Sequence, residues 1–365
     1  MTKLCVPLTQ KDTDSALAVM HSLPPEVELV EVRLDLMEKA DLERLVAARD
    51  RPVIVTNRPR REGGGYGGPE SVRLATLRLA AELGADFVDV ESDAVADLGP
   101  LPAGVRRIVS YHNFQRTPPD LEATLRRILE LEPDVAKVAV TAADAADVGP
   151  VLDLLARYAA DNALIALSMG EQGLSSRVLA GKFDAFLTFA GSAAGSESAP
   201  GQLPVEQMLG MYRFPQINAD TAVYGVAANP VAHSMSPAIH NAAFAACDVD
   251  AVYLPFKVTD LEAFVEAFEP HDLKGLSVTI PHKEAMLGLV DEADELAREI
   301  GAVNTVAWRD GRRLGRNTDV AAAVSAIEEA VRRAGLGALA DRSVLLVGAG
   351  GAARAIAYGL RRKAA

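Results

Sequence analysis

Lys137 lies inside the apolar run Val135-Ala136-Lys137-Val138-Ala139-Val140, and His112 closes the run that begins at Arg107. An ionised amine is costly to desolvate, so a lysine within a packed strand needs a reason. One reading is a strand-end lysine whose ammonium snorkels to solvent. The other is a Schiff-base lysine, in which burial and neighbouring cations favour the free amine and the amine attacks a ketone. A protonated imine is an electron sink, so a proton on the adjacent carbon then leaves at neutral pH. Histidine supplies a base matched to that step. Taken alone, His112 reads equally well as a hydrogen-bonded core histidine.

Further polar residues close or follow the other apolar runs. They are Glu31, Arg33 and Asp35, then Arg58, then Asp89 and Glu91. Arg177 follows later, and Ser198 and Gln202 fall in the small-residue stretch 190–202, AGSAAGSESAPGQ. One of these alone could be a salt bridge. A set drawn from nearly every run points to a site at the C-terminal ends of parallel strands.

The runs that would position them are 4–8, 28–34, 52–56, 86–91, 107–112, 135–140, 163–169 and 183–189. Segments with apolar residues at helical spacing, such as DLERLVAARD, lie between them. About eight strand–helix units in roughly 210 residues suit a (β/α)8 barrel, with an open doubly wound sheet as the alternative. PVEQMLGMY reads as a helix, and 213–221 reads as a linker. A second α/β layer is expected from the runs at 222–230, 251–258, 275–281 and 302–308. A helical stretch, 319–335, leads to a last apolar run at 344–347, read as a short buried strand. The glycine turn Gly348-Ala349-Gly350-Gly351 and an alanine-rich helix follow it.

EVRLD, VTNRPRREGG, SYHNF, DVAKVAV and SAPGQ, in that order, resemble type I 3-dehydroquinate dehydratase over about residues 1–212. The resemblance implies a TIM barrel in which Lys137 forms an imine with the substrate C3 ketone. It implies that His112 takes a C2 proton and then helps the C1 hydroxyl leave, with Glu62 orienting His112. Arg177 is implied as the clamp on the substrate carboxylate. Glu31, Arg33, Arg58, Ser198 and Gln202 are implied as substrate contacts. No cofactor is implied for this step. The chain departs from the family at Asn113, where relatives carry Asp, and in the small residues Gly191 to Gly195 before Ser198.

YGVAANPVAHSMSPAIHNAAF, GLSVTIPHKEAM, IGAVNTVAW and GRNTDV resemble the substrate domain of shikimate dehydrogenase, over about 222–320. Without that series, Ser234 and Ser236 read as a helix cap and Lys283 with Asp319 as a surface ion pair. The resemblance implies that Ser234 and Ser236 bind a carboxylate and that Thr279, Asn304 and Asp319 bind ring hydroxyls. It implies Lys283 and Asp319 as the catalytic pair, because reducing a ketone leaves an alkoxide that must gain a proton. Ser277 stands where relatives carry Asn. Dehydratase followed by dehydrogenase resembles the fused enzyme of plants and some bacteria, in which the first unit would make 3-dehydroshikimate and the second would reduce it to shikimate.

The expected division is therefore 1–212 barrel, 213–221 linker, 222–322 substrate-binding domain, and 323–365 connecting helix and start of a Rossmann domain. Gly348, Gly350, Gly351 and Ala352 are the expected NADP(H) contacts, since a glycine turn after a strand lets backbone N–H groups approach a pyrophosphate. The residues that read the ribose lie after a second strand in that fold. Three expectations follow: a working dehydratase beside a dehydrogenase half that cannot complete its cofactor site, a piece of a longer bifunctional enzyme, or a second half that only binds.

The formal net charge of −13 argues against a nucleic-acid or anionic-membrane surface, while leaving room for a basic pocket for small anionic substrates. Cys5 and Cys247 have no ligand-like spacing, so no metal or disulfide framework is expected. No run is apolar enough to span a bilayer, and MTKLCVPLTQ carries no signal-peptide pattern, so a cytoplasmic enzyme is expected. The oligomeric state is not legible.

Overall fold

The computed structural model describes residues 1–348 and 351–364. The chain divides into two compact units, 1–221 with 238–252, and 222–237 with 253–365.

The first unit is built on eight strands: β1 (Lys3–Leu8), β2 (Val27–Arg33), β3 (Val53–Thr56), β4 (Phe87–Glu91), β5 (Arg106–Asn113), β6 (Val135–Thr141), β7 (Leu164–Met169) and β8 (Leu187–Phe189). They pair in the order β7-β6-β5-β4-β3-β2-β1-β8, and all seven adjacent pairs are parallel. The ring is nearly closed, and the Phe186 amide donates to Leu164 O at 2.8 Å beside the remaining gap. Helices connect the strands. The helix Leu121–Leu129 shows why: Leu121, Thr124, Leu125 and Ile128 are its buried residues, a single stripe at helical spacing. Asp12 and Asp41 cap their helices by accepting from the amides of Ser15 and Arg44.

Side chains alternate in and out along a strand, so inward positions are two apart. Near the strand starts these positions form an apolar floor containing Leu29, Ile54, Phe87, Ile108, Val135, Ile165 and Leu187. Two residues further on they become Glu31 on β2, Asp89 on β4, Ser110 on β5 and Lys137 on β6. A dry floor with a charged layer above it is thus written into the strands residue by residue. β8 starts at Leu187 rather than at 183, because Leu179–Phe183 is a 3-10 turn that ends at Asp184 with φ 51°. Residues 213–221 are packed rather than extended, with Phe214 and Ile217 buried and Lys182 Nζ donating to Ala219 O and Thr221 O at 2.7 and 2.9 Å.

The second sheet contains β9 (Ala222–Ala228), β10 (Ala251–Lys257), β11 (Leu273–Val278), β12 (Glu292–Ala293), β13 (Thr305–Arg309) and β14 (Arg312–Arg316), in the order β10-β9-β11-β13-β14-β12. The β13–β14 hairpin turns at Asp310 and Gly311, both at positive φ, as a two-residue turn between right-twisted strands requires. Phe256, Phe264 and Phe268 pack with ring centroids 4.8–4.9 Å apart. Helix Asp319–Arg333 buries Val320 and Val324, against which Ala355 of helix Gly351–Ala364 packs.

The expected strand at 344–347 is not formed. Val344, Leu345, Leu346 and Val347 are exposed and lie in no strand. A single strand has backbone donors and acceptors to satisfy, and no neighbouring strand among the described residues pairs with this one.

Candidate functional site

The barrel's polar layer opens into a cavity. Glu31, Arg33, Arg58, Glu62, His112, Lys137, Arg177, Ser198 and Gln202 all line it. Residues from position 31 to position 202 of the sequence therefore meet in one place.

Lys137 is the third residue of β6, not its last, and is 5% exposed. Its Nζ lies 2.8 Å from Asp89 Oδ2, 3.7 Å from Glu31 Oε1 and 4.8 Å from the centre of the Phe189 ring. The ammonium is thus held by carboxylates at depth and does not reach bulk solvent. Ser110 Oγ donates to Asp89 Oδ1 at 2.6 Å, and Thr56 Oγ1 donates to Glu31 Oε1 at 2.7 Å. Burial pushes the Asp89 carboxyl up, but the cations Arg58 and Lys137 outweigh it and hold Asp89 well below the usual carboxylate range.

Arg58 follows β3 and is 3% exposed. Its Nη1 donates to Glu91 Oε1 at 2.6 Å and to Ser110 Oγ at 2.7 Å, and its Nη2 lies 2.8 Å from Asp89 Oδ2. Burial opposes its charge, yet Asp89, Glu91 and Glu31 together raise its pKa. Arg33 sits at the end of β2 in a two-armed pair with Asp35, at 2.9 and 2.8 Å.

His112 ends the inward row of β5, and its Nδ1 lies 2.9 Å from Glu62 Oε2. Burial drives the imidazole pKa well below its usual 6.5, and the cations Arg58 and Lys137 add to that. Burial likewise pushes Glu62 up to about 8, against the pull of Arg58. The site therefore holds a neutral imidazole oriented by one partner. Glu62 holds the ring through Nδ1, and Nε2 has no hydrogen-bond partner among the described residues. Phe114 stacks near His112, with ring centroids 6.3 Å apart, and Gly63 makes room for it: a Cβ there would lie 2.2 Å from Phe114 Cε2.

Arg177 is 1% exposed. Its one hydrogen bond among the described residues is a long one, Nη2 to Pro200 O at 3.4 Å, and its Nε has no partner. Burial alone pulls its pKa down to about 10. Arg33, Arg58 and Arg73 each have a carboxylate beside them, and Arg177 has none among the described residues. A buried guanidinium that faces a cavity with no carboxylate beside it has N–H donors left to offer an anion. Beside it, the Ser198 amide donates to Gln202 Oε1 at 2.8 Å and Gln202 Nε2 donates to Ser198 Oγ at 3.0 Å, which fixes the loop before a ligand arrives.

In the second unit Lys283 Nζ lies 2.5 Å from Asp319 Oδ2, and Asn304 Nδ2 donates to Asp319 Oδ1 at 2.7 Å. The backbone amide of Asp319 donates to Asn317 Oδ1 at 3.0 Å, which fixes the backbone that carries this carboxylate. Ser236 N donates to Ser234 Oγ at 3.3 Å at the start of helix Ser236–Ala246. Thr279 follows β11, its amide donating to Ala227 O at 3.1 Å. No described contact joins Ser234, Ser236 or Thr279 to the Lys283 set. The buried Tyr253 hydroxyl interacts with those of Ser236 and Ser277.

Of the expected dinucleotide contacts, Gly348 has φ 117° and is exposed, Gly350 lies outside the described residues, and so do the side chains of Gly351 and Ala352. A pyrophosphate turn needs the preceding strand held in a sheet. Because 344–347 is exposed and lies in no strand, the described residues do not fit a dinucleotide.

Ser110, Arg73 and Phe114 were not singled out from sequence. Ser110 lies two residues before His112 and so shares its face of β5, a signal that period-two reading could have found. Arg73 replaces an apolar residue in the buried stripe Arg73, Leu74, Leu77, Ala80 and Ala81 of its helix.

Residues 4–219 match the family model for type I 3-dehydroquinase. The chain belongs to this family. Residues 226–306 match the model for the shikimate dehydrogenase substrate binding domain. The chain is 40% identical over 385 residues to the chloroplastic bifunctional 3-dehydroquinate dehydratase/shikimate dehydrogenase of Arabidopsis thaliana, covering 99% of this chain and 63% of that one. It is 44% identical over 147 residues to the shikimate dehydrogenase (NADP(+)) of Thermococcus kodakarensis, covering 40% of this chain and 52% of that one. Among solved structures, the dehydroquinate dehydratase and shikimate dehydrogenase of S. pombe AroM aligns with TM-score 0.51 at 26% identity, covering 99% of this chain and 72% of that one. The chain thus spans between about half and two thirds of the length of the two curated relatives. No helix among the described residues is long and apolar enough to cross a membrane.

Proposed function

We propose that the barrel of this type I 3-dehydroquinase relative dehydrates 3-dehydroquinate to 3-dehydroshikimate through an imine on Lys137. The observation that carries the reading is the meeting, in one cavity, of a buried lysine, a histidine paired with Glu62, and a buried arginine with no carboxylate beside it among the described residues.

The substrate carboxylate supplies the missing partner of Arg177, and Ser198 and Gln202 bind beside it. Lys137 gives up a proton to water, its free amine adds to the C3 ketone, and the proton returns to the carbinolamine hydroxyl. Water leaves and a protonated imine forms. His112 Nε2 takes the C2 proton, and the electron pair of that C–H bond moves onto the imine nitrogen, giving an enamine. The pair returns as the C1–oxygen bond breaks, and the hydroxyl leaves as water with the proton from His112. Hydrolysis of the imine restores Lys137 and releases 3-dehydroshikimate. Glu62 holds the tautomer of His112 and supports the imidazolium while it exists.

Borohydride added during turnover of 3-dehydroquinate reduces the imine to a stable amine. Mass spectrometry should find the adduct on Lys137, and Lys137→Ala should lose turnover. Full turnover by Lys137→Ala, or an unmodified Lys137 in a trapped active enzyme, overturns the mechanism.

For the second unit we infer binding of shikimate and 3-dehydroshikimate. Support comes from the preassembled Lys283–Asp319–Asn304 set, which offers a donor, an acceptor and an amide to neighbouring ring hydroxyls. NADP(H) is the cofactor class that the relatives' name attaches to this domain. A cytoplasmic location and small anionic substrates complete the reading.

A further inference from the structure

Behind the reacting lysine a row of alternating charges runs through the barrel wall. Lys137 lies against Asp89, Asp89 against Arg58, and Arg58 against Glu91. Glu91 Oε2 lies 2.6 Å from Nη1 of Arg73, which has no exposure at all. Arg73 Nη1 also donates to Asn57 O at 3.2 Å, and Nε and Nη2 donate to Glu70 at 2.9 and 2.6 Å. Arg73 does not line the cavity. A completely buried arginine is costly unless both the ion and its partner are needed.

Each link depends on the next. Glu91 is fully buried, and burial favours its neutral form. Arg58 and Arg73 are the two cations that oppose this. A neutral Glu91 would leave Arg58 with Asp89 as its one close anion, and Asp89 is also the nearest anion to Lys137. Arg58 would then compete for the carboxylate that aims the amine.

We propose that Arg73 is a positioning residue for the imine-forming step: it balances Glu91, Glu91 and Asp89 share Arg58 between them, and Asp89 is left able to hold Lys137 in place. The inference rests on the imine reading for Lys137.

The test is a double-mutant cycle on the full chain. The initial rate of borohydride-trapped adduct with 3-dehydroquinate is measured for wild type, Arg73→Met, Glu91→Gln and the double variant. Each single variant should slow trapping on the order of tenfold. The double variant should be no slower than either single one, because both break the same link. Arg73→Lys should recover most of the rate. Infrared difference spectra should show a new protonated carboxyl in Arg73→Met that the double variant lacks. Multiplying losses in the double variant, or an unchanged trapping rate in Arg73→Met, overturns the proposal. If Arg73→Met does not fold, a wild-type rate in a folded Glu91→Gln overturns it equally. A wild type that gives no Lys137 adduct instead overturns the underlying mechanism, so the two failures are distinct.

Discussion

Arg177 carries a charge in a place where charge is costly, and no carboxylate among the described residues lies beside it to repay that cost. Two expectations follow for Arg177→Met. Removing an uncompensated buried cation stabilises the folded chain by about 1 kcal/mol, seen as a melting temperature roughly 3 °C higher. The same change removes a charge-assisted clamp, so KM for 3-dehydroquinate rises on the order of 100-fold while kcat changes less. Calorimetric melting and steady-state kinetics check both. A variant that is less stable with unchanged KM would make Arg177 a structural residue. The residue types and spacings of Lys137, His112 and Arg177 were legible in the chain, since each breaks an apolar pattern or follows one. Their charge states were not, because these depend on neighbours such as Arg58 and Asp89 that only folding brings close.

At the scale of elements, strand alternation does most of the organising. Period two puts Phe87, Asp89 and Glu91 on one face of β4 and Ile108, Ser110 and His112 on one face of β5. The loop after β8 works differently and relies on a single close approach. Gly201 has φ 76°, and a Cβ there would lie 2.1 Å from Gly170 O. Gly201→Ala should therefore push the Ser198–Gln202 loop away from β7, destabilise the chain by about 1–3 kcal/mol, and raise KM more than it lowers kcat. Chemical denaturation and kinetics measure the two, and an alanine variant with wild-type stability and KM would refute the strain argument. Strands β1 to β7 were readable to within two residues at each end. The β13–β14 hairpin was missed, although Asp310-Gly311 between short runs is a known turn signal. The run 344–347 was read as a buried strand because its composition is apolar, but a strand exists only where a neighbour pairs with it.

At the scale of the whole molecule, the chain combines a family barrel with a unit that matches a shikimate dehydrogenase substrate binding domain. If that unit binds on its own account, titration of the full chain with shikimate gives heat at millimolar ligand. Asp319→Asn should weaken binding about tenfold, since a charged acceptor held at 2.5 Å from Lys283 becomes neutral. No heat in wild type, or equal affinity in Asp319→Asn, counts against the reading. The sequence by itself determined the eight-unit rhythm, the motif order and the residue types that could do imine chemistry, because these are properties of local pattern. Tertiary structure decided that Lys137 sits one layer below the strand ends between Asp89 and Glu31, that His112 lies beside Glu62, and that Arg177 is buried with no carboxylate next to it among the described residues. Those are facts of distance and burial between residues far apart in the chain, and no local pattern encodes them.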